Sequence, residues 1–170
     1  MKTLLLMRHA KSSWDNPGQP DHDRVLNARG LRDAPRMAEW VQEQGRIPDS
    51  ITCSTAARAF QTALLIARTI GHDSPLRATA ALYHADLANW LAVIRDLPES
   101  SQVALCVGHN PGVEGLVSCL SGVRQHMSTA AVAVFDLPIS DWRQFDASNP
   151  LTAWTLWRPK DLPGGEGEDD

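Results

Sequence analysis

The sequence predicts an α/β domain in which helices cover both faces of a mostly parallel sheet, with an antiparallel pair of strands near the C-terminus. Short apolar runs alternate with helical patterns through four cycles along the chain. The chain has 170 residues, of which 43% are hydrophobic and 21% charged, which is the size and composition of one globular domain. We expect this domain to span residues 1–162 and to be followed by an acidic, disordered tail over residues 163–170.

The predicted strands are short apolar runs bounded by polar or turn-forming residues. The first and fourth runs, TLLLM and VALCV, are apolar throughout, as expected of strands buried on both faces of a parallel sheet. The last two runs are joined by a polar connection and predict the antiparallel pair. In chain order the runs cover residues 3–7, 51–54, 76–78, 103–107, 130–137 and 152–158.

Four segments carry helical periodicity together with start or stop signals. Asn27 is a suitable N-cap for the first segment, and Pro35 inside it predicts a kink or a later start. Asn110 and Pro111 predict the N-cap and the first helical position of the fourth segment. In chain order the segments cover residues 27–45, 55–70, 87–97 and 110–120.

The segment between the first strand and the first helix is predicted to be a binding loop. Residues 11–25 (KSSWDNPGQPDHDRV) are dense in Ser, Asp, Asn, Pro and Gly. Loops of this length without regular structure are usually functional or disordered. Because this one follows the first strand directly, we expect it to cover the carboxyl end of that strand.

The charge distribution argues against nucleic acid as a partner. The net charge of the chain is −4, but residues 1–160 carry 16 bases and 15 acids, so the domain has no basic surplus to neutralise a phosphate backbone. Of the bases, 13 are arginines, whose planar side chains bind phosphate or carboxylate through two hydrogen bonds. Small anions therefore remain possible ligands where several arginines converge.

Cysteine usage and the N-terminus favour a cytoplasmic protein. The three cysteines, Cys53, Cys106 and Cys119, are widely spaced and include no CxxC pair, which argues against a disulfide framework and a cysteine-rich zinc site. The N-terminal apolar stretch ends at Arg8 and is too short for the core of a signal peptide. No apolar run approaches the length of a membrane span, so a membrane partner is not expected.

Histidines and arginines follow the predicted strands at one edge of the sheet. Arg8 and His9 come directly after the first strand, Arg58 lies near the start of the second helix, and His109 follows the fourth strand. In parallel sheets ligands bind beyond the carboxyl ends of the strands. Two arginines and two imidazoles, with helix N-termini nearby, form a suitable pocket for one phosphoryl group.

These motifs resemble those of the histidine phosphatase superfamily, and within it the branch of SixA-type phosphohistidine phosphatases. The resemblance extends over roughly residues 1–137, with the motifs in the order found in the family. A lone RHA tripeptide would carry little weight, but the combination is specific. The matching segments are LLMRHAKSSW, DHDRVLNARGLRDA, CSTAARAFQTA, LYHADL and LCVGHNPGVEGL.

The resemblance implies a three-layer α/β/α sandwich of the phosphoglycerate mutase-like type and a metal-independent phosphatase without a cofactor. His9 would attack phosphorus and form a phosphohistidine intermediate, which water then hydrolyses. Arg8, Arg58 and His109 would hold the phosphoryl oxygens and neutralise the charge of the transition state. Arg24 would be a further phosphate contact in this branch.

The proton donor is where the sequence departs from the wider family. Many members carry a glutamate at the position that we align near Ala81, and residues 77–86 contain none. His84 and Asp86 are the nearby substitutes, and Asp86 is equally a candidate N-cap for the third helix. Alternatively, a phosphoramidate needs little help once its nitrogen is protonated, which would suit a phosphohistidine-bearing protein as substrate.

Three functions remain open at this stage. The leading prediction is a phosphohistidine phosphatase that acts on proteins, with small phosphate esters as the competing substrates. A metal-dependent hydrolase would use His9, His84 and His109 as ligands, although no HxH, HxxE or DxH cluster lies beside them. A phosphate-binding module without activity is the third. Sugar-phosphate mutase activity is the least favoured, because those relatives are longer. The physiological substrate and the oligomeric state stay undetermined.

Overall fold

The computed structural model describes residues 1–165. Its strands are β1 Lys2–Arg8, β2 Ser50–Ser54, β3 Arg77–Thr79, β4 Val103–Gly108, β5 Val132–Leu137 and β6 Trp154–Trp157. Its helices are α1 Ala28–Glu43, α2 Ala57–Ile70, α3 Leu87–Arg95 and α4 Gly112–Ser121. Short 3₁₀ helices occupy Asp21–Asp23, Ala80–Leu82, Trp142–Gln144 and Pro159–Asp161.

One six-stranded sheet in the order β3-β2-β4-β1-β5-β6 forms the centre of the molecule. The first four strands in that order are parallel, whereas β5 and β6 run antiparallel to their neighbours. The pairing of Arg8 with Gly108 brings the carboxyl ends of β1 and β4 side by side. The predicted fold class, with a mostly parallel sheet and an antiparallel C-terminal pair, is confirmed.

The sheet is covered on both faces, which explains why β1 is apolar throughout. Leu5 and Met7 belong to the core on the side of α1 and α2, while Leu4 and Leu6 belong to the core on the side of α3 and α4. Alternate side chains of a strand point to opposite faces, so a strand between two helical layers needs apolar residues at every position. The two cores hold the strand ends in fixed relative positions.

The first helix begins as predicted and the fourth does not. The Asn27 side chain accepts a hydrogen bond from the Gly30 N–H, and α1 continues through Pro35, so the helix has no late start. The prediction that Asn110 caps α4 is wrong: Pro111 is the N-cap residue. The Asn110 amide instead donates to the carbonyl oxygen of Met127 and to the carboxylate of Glu114.

The predicted tail lies partly outside the described residues. Residues 166–170, which carry four of its acids, are not described. The carbonyl oxygen of Pro163 accepts a hydrogen bond from Arg36, and the Gly165 N–H donates to Leu162. Within residues 1–165, none of the helices has the length and apolar composition needed to span a bilayer.

Candidate active site

The carboxyl ends of β1, β2 and β4 surround a polar cavity of about 220 Å³. Arg8 and His9 end β1, His109 follows β4, and Arg58 lies in the first turn of α2, which follows β2. The predicted loop contributes Lys11, Ser12, Trp14 and Arg24. In full, the cavity is lined by Arg8, His9, Lys11, Ser12, Trp14, Arg24, Arg58, His109, Asn110 and Thr129.

Main-chain hydrogen bonds fix the position of His9. Its N–H donates to the carbonyl of Gly108 at 3.0 Å, and its carbonyl accepts from the N–H of Ala130 at 3.1 Å. The next amide, that of Ala10, donates to the hydroxyl of Thr62 at 3.0 Å. The residue is therefore fixed to β4, to the segment before β5 and to α2.

The hydrogen bonds of the His9 ring determine which nitrogen carries the proton. Nδ1 lies 2.7 Å from the carbonyl oxygen of Ala10, which can only accept, so Nδ1 is the protonated nitrogen. Nε2 then has a lone pair and accepts a hydrogen bond from Nε of Arg58 at 3.3 Å. Burial lowers the pKa of His9 to about 3, against the raising effect of the Ala10 carbonyl, and nearby His109 and Arg58 lower it further. The imidazole is neutral near pH 7, with Nε2 available as a nucleophile.

The second imidazole, His109, lies beside the first, with 5.0 Å between the ring centroids. Its Nε2 is 2.8 Å from Oγ of Ser54, which also accepts a hydrogen bond from the Ala56 N–H. The Ser54 hydroxyl can donate its proton to Nε2, which puts the hydrogen of neutral His109 on Nδ1. Nδ1 is buried and has no hydrogen-bond partner among residues 1–165. Burial, and next Arg58, lower the pKa of His109 to about 3.

One carboxylate, that of Asp21, orients two arginines of the cavity. Its side chain accepts from Nη2 of Arg58 at 3.0 Å and from Nε of Arg24 at 3.1 Å, and its carbonyl accepts from Nη1 of Arg58 at 2.7 Å. The Tyr83 hydroxyl donates to the same carboxylate at 2.8 Å. Partial burial raises the pKa of Asp21, but the hydrogen bonds from Tyr83 and Arg58 outweigh it and hold this pKa well below its usual range. Asp21 is therefore ionised and holds both guanidinium groups.

Further hydrogen bonds hold Arg24 and Arg8 in place. Arg24 donates from Nη1 to the Ser12 hydroxyl at 2.9 Å, and its guanidinium lies 3.6 Å from the centroid of the exposed Trp14 ring. Arg8 donates from Nη1 to the carbonyl of Met127 at 3.0 Å. Guanidinium groups that are already oriented lose little conformational freedom when an anion binds.

The two predicted proton donors lie in a neighbouring groove of about 460 Å³, which shares His109 and Asn110 with the cavity. Asp86 is the N-cap of α3, where its carboxylate accepts from the Asn89 N–H at 2.8 Å. His84 has a positive φ of 52°, and its ring contacts Tyr83. Each of them therefore borders the cavity that contains His9 rather than lining it.

The structure thus brings together five of the seven predicted site residues: Arg8, His9, Arg24, Arg58 and His109. Asp21, Tyr83 and Ser54 were not predicted. All three belong to the quoted motif segments, Ser54 to CSTAARAFQTA, Asp21 to DHDRVLNARGLRDA and Tyr83 to LYHADL, and this was the available signal. Across residues 1–165, no group of three or more His, Cys, Asp or Glu side chains is placed to hold a metal ion.

A family model and a curated relative match this chain. The family model of the histidine phosphatase superfamily (branch 1) matches residues 4–99, which include every predicted site residue except His109. An uncharacterised chloroplastic protein of Arabidopsis thaliana is 30% identical over an alignment of 165 residues, and the match covers 91% of this chain and 75% of the relative.

Two solved structures share the fold. A candidate phosphohistidine phosphatase SixA from Agrobacterium tumefaciens is 30% identical, with a TM-score of 0.72 over 79% of this chain and 91% of the other. The protein histidine phosphatase SixA in complex with tungstate is 24% identical, with a TM-score of 0.79 over 95% of this chain and 99% of the other. At that identity, the second structure bears on the fold alone.

Proposed function

The chain belongs to the histidine phosphatase superfamily (branch 1), and on that premise we propose that it is a metal-independent phosphatase acting through a phosphohistidine intermediate on His9. The observation that carries the proposal is the Nε2 lone pair of His9. Its ring is kept neutral by burial and oriented by the Ala10 carbonyl, with Nε2 beside the guanidinium of Arg58. A neutral, oriented imidazole beside cationic groups has the properties that attack on a phosphoryl group requires.

We assign phosphate binding to Arg8, Arg24, Arg58 and His109. All three arginines line the cavity, and Nδ1–H of His109, the residue after β4, is the neutral donor. Together they supply hydrogen bonds to the phosphoryl oxygens and neutralise the charge that develops on them. This charge compensation lowers the energy of the transition state more than that of the bound substrate.

The reaction has two displacement steps. First, a bond forms between Nε2 of His9 and phosphorus while the bond from phosphorus to the leaving group breaks, and the leaving group takes up a proton. Second, water attacks the phosphohistidine, the N–P bond breaks and the electron pair returns to Nε2. Phosphate leaves with the hydroxyl of the water, and the other proton of the water passes to solvent. Each step is an in-line displacement at phosphorus, and the histidine is regenerated.

Phosphohistidine on a protein is the substrate class we favour. Asp86 is engaged as a helix cap, and His84 lies in the adjoining groove, so the cavity itself contains no carboxylic acid to protonate a poor leaving group. A phosphoramidate leaves readily once its nitrogen is protonated, and this makes such a substrate compatible with the site. The 30% identical structure from Agrobacterium tumefaciens is named as a candidate phosphohistidine phosphatase SixA. Small phosphate esters are the competing substrates.

The test is a single-turnover reaction, in the presence of a chelator, of wild type and His9→Ala. The substrates are a protein carrying radiolabelled phosphohistidine and a generic aryl phosphate. We expect wild type to acquire acid-labile label and to release phosphate, and His9→Ala to do neither. The ratio of the two rates tests the preferred substrate class.

If wild type and His9→Ala are equally inert with both substrates, the role of His9 as nucleophile is wrong. Recovery of activity on adding a divalent metal without chelator would then favour the metal-dependent alternative. Binding of inorganic phosphate without turnover would favour the non-catalytic alternative. A cytoplasmic location stays a prediction, and the Arabidopsis relative is named as chloroplastic.

A further inference from the structure

A tryptophan, Trp14, stands at the mouth of the cavity that contains His9. Among the described residues that line this cavity, Trp14 alone is exposed, with 71% of its surface accessible, whereas His9, Arg24 and Arg58 are buried. A tryptophan ring left in water forgoes the stabilisation that its burial would provide. The function proposed above gives this side chain no role.

The main chain holds Trp14 in place beside Arg24. Ser13, the residue before Trp14, donates its N–H to the carbonyl of Val25, the residue after Arg24, at 2.8 Å. The two sides of the predicted loop are therefore paired immediately next to these two residues. As a result, the side chains of Trp14 and Arg24 meet across the base of the loop.

Arg24 covers one face of the Trp14 ring. The guanidinium carbon lies 3.6 Å from the ring centroid, and the guanidinium is itself held by the Ser12 hydroxyl and the Asp21 carboxylate. A cation over the face of an indole ring is attracted to it, so this contact orients the ring. Since most of the side chain is exposed although one face is covered, the opposite face is open.

The position of His9 determines the direction in which a leaving group points. In an in-line displacement the leaving group lies on the side of phosphorus opposite the attacking atom, here Nε2 of His9. His9 is only 7% exposed, so it attacks from the buried end of the cavity. The leaving group of a bound phosphoryl compound is therefore directed to the mouth of the cavity, where the Trp14 ring lies.

We propose that the open face of Trp14 stacks on a planar leaving group, an aromatic ring attached to the phosphoryl group. This inference rests on the proposed function, because it assigns the residue that selects the leaving group at the same site. The imidazole of phosphohistidine and the phenyl ring of an aryl phosphate both have the required shape. Stacking on a ring that is already oriented costs little conformational freedom.

Binding of three phosphonates to the full-length chain tests the proposal without turnover. Phenylphosphonate carries a planar ring, cyclohexylphosphonate a ring of similar size that is not planar, and methylphosphonate no ring. By calorimetry, we expect wild type to bind phenylphosphonate about fivefold more tightly than cyclohexylphosphonate, and more tightly still than methylphosphonate. Trp14→Leu should bring the first two affinities to within about twofold of each other, whereas Trp14→Phe keeps a ring and should retain most of the preference.

The same measurements separate stacking from an indirect role through Arg24. If Trp14 only holds Arg24 in place, Trp14→Leu weakens the binding of all three phosphonates by the same factor. Phe60→Leu removes an exposed aromatic ring outside the cavity and is the matched control, which should keep the preference of wild type. Uniform weakening in Trp14→Leu, a preference that survives in Trp14→Leu, or equal affinities of wild type for the phenyl and cyclohexyl compounds would overturn the proposal.

Turnover shows which planar leaving group benefits from the contact. Phosphoimidazole and phosphoramidate both have an N–P bond, but only the first has a ring. Trp14→Leu should therefore lower kcat/KM about fivefold for phosphoimidazole and by no more than about twofold for phosphoramidate. Phenyl phosphate and methyl phosphate form the corresponding pair of esters. A loss confined to phosphoimidazole supports stacking on phosphohistidine, and a loss confined to phenyl phosphate supports stacking on aryl esters.

The two kinds of measurement distinguish failure of this inference from failure of the proposed function. If wild type turns over none of these substrates but still prefers phenylphosphonate, the proposed function fails and the stacking site remains. If turnover is normal and depends on His9 but wild type shows no preference for a planar ring, only the role of Trp14 fails.

Discussion

Oγ of Ser54 lies 2.8 Å from Nε2 of His109, and both side chains are buried. The serine hydroxyl also accepts the Ala56 N–H, so its own proton is available for the imidazole. In this arrangement the Ser54 hydroxyl favours the tautomer of His109 that carries its hydrogen on the buried Nδ1.

We therefore predict that Ser54→Ala lowers kcat about tenfold or more with a smaller change in KM, because the tautomer affects the transition state more than the bound substrate. Ser54→Thr keeps a hydroxyl and should recover most of that loss. Steady-state kinetics over a range of pH values would measure both. An equal loss in the two variants would indicate a packing role instead.

Asp21 is expected to matter for substrate binding, because it orients Arg58 and Arg24 at the same time. Asp21→Asn removes the charge while keeping the size, and we expect it to raise KM and lower kcat/KM by about one order of magnitude or more. Tyr83→Phe removes only the hydroxyl that donates to Asp21 and is the matched control, with a smaller effect. A larger effect of Tyr83→Phe than of Asp21→Asn would contradict this order.

The proton donor can be identified from the dependence of rate on the leaving group. Asp86→Asn keeps a good N-cap for α3. Because the Asp86 carboxylate already accepts a hydrogen bond from the Asn89 N–H, we expect turnover to change by no more than about twofold. If His84 is the donor, His84→Gln slows alkyl phosphates more than aryl phosphates, because only the poor leaving groups need the proton. Rates for a series of leaving groups would decide. Insensitivity of both variants across the series would leave solvent as the source of the proton.

The buried histidines predict how stability depends on pH. Burial lowers the pKa values of His9 and His109 to about 3, from 6.5 when exposed, so between pH 6.5 and 3 the unfolded chain binds protons that the folded chain does not. The free energy of unfolding is then unaffected by these groups above pH 6.5 and falls as the pH is lowered, by up to about 1.4 kcal/mol per pH unit for each histidine.

Urea denaturation of the phosphate-free protein at several values between pH 4 and pH 7 would measure this slope. His9→Gln and His109→Gln should each lower the slope of the unfolding free energy against pH by up to about 1.4 kcal/mol per pH unit. An unchanged slope in both variants would show that neither histidine is held neutral by the fold.

Local patterns in the sequence determined the fold class and the residues at the strand ends. The apolar run of β1 reflects its burial between two helical layers, and Asn27 caps α1 by accepting from an amide three residues away. Both features can therefore be predicted from the local sequence. Since parallel strands end at one edge, their positions in the sequence also predicted that Arg8, His9, Arg58 and His109 would meet.

Only the tertiary structure decided which side chains pair across that edge. Tyr83 is 62 residues from Asp21 and His109 is 55 residues from Ser54, so no local rule links them. The sequence around Asn110 is typical of a helix N-cap, yet the side-chain amide of Asn110 donates to the carbonyl of Met127, 17 residues away. Such pairings depend on how the layers pack, because a polar side chain bonds to whichever partner the packed layers bring within reach.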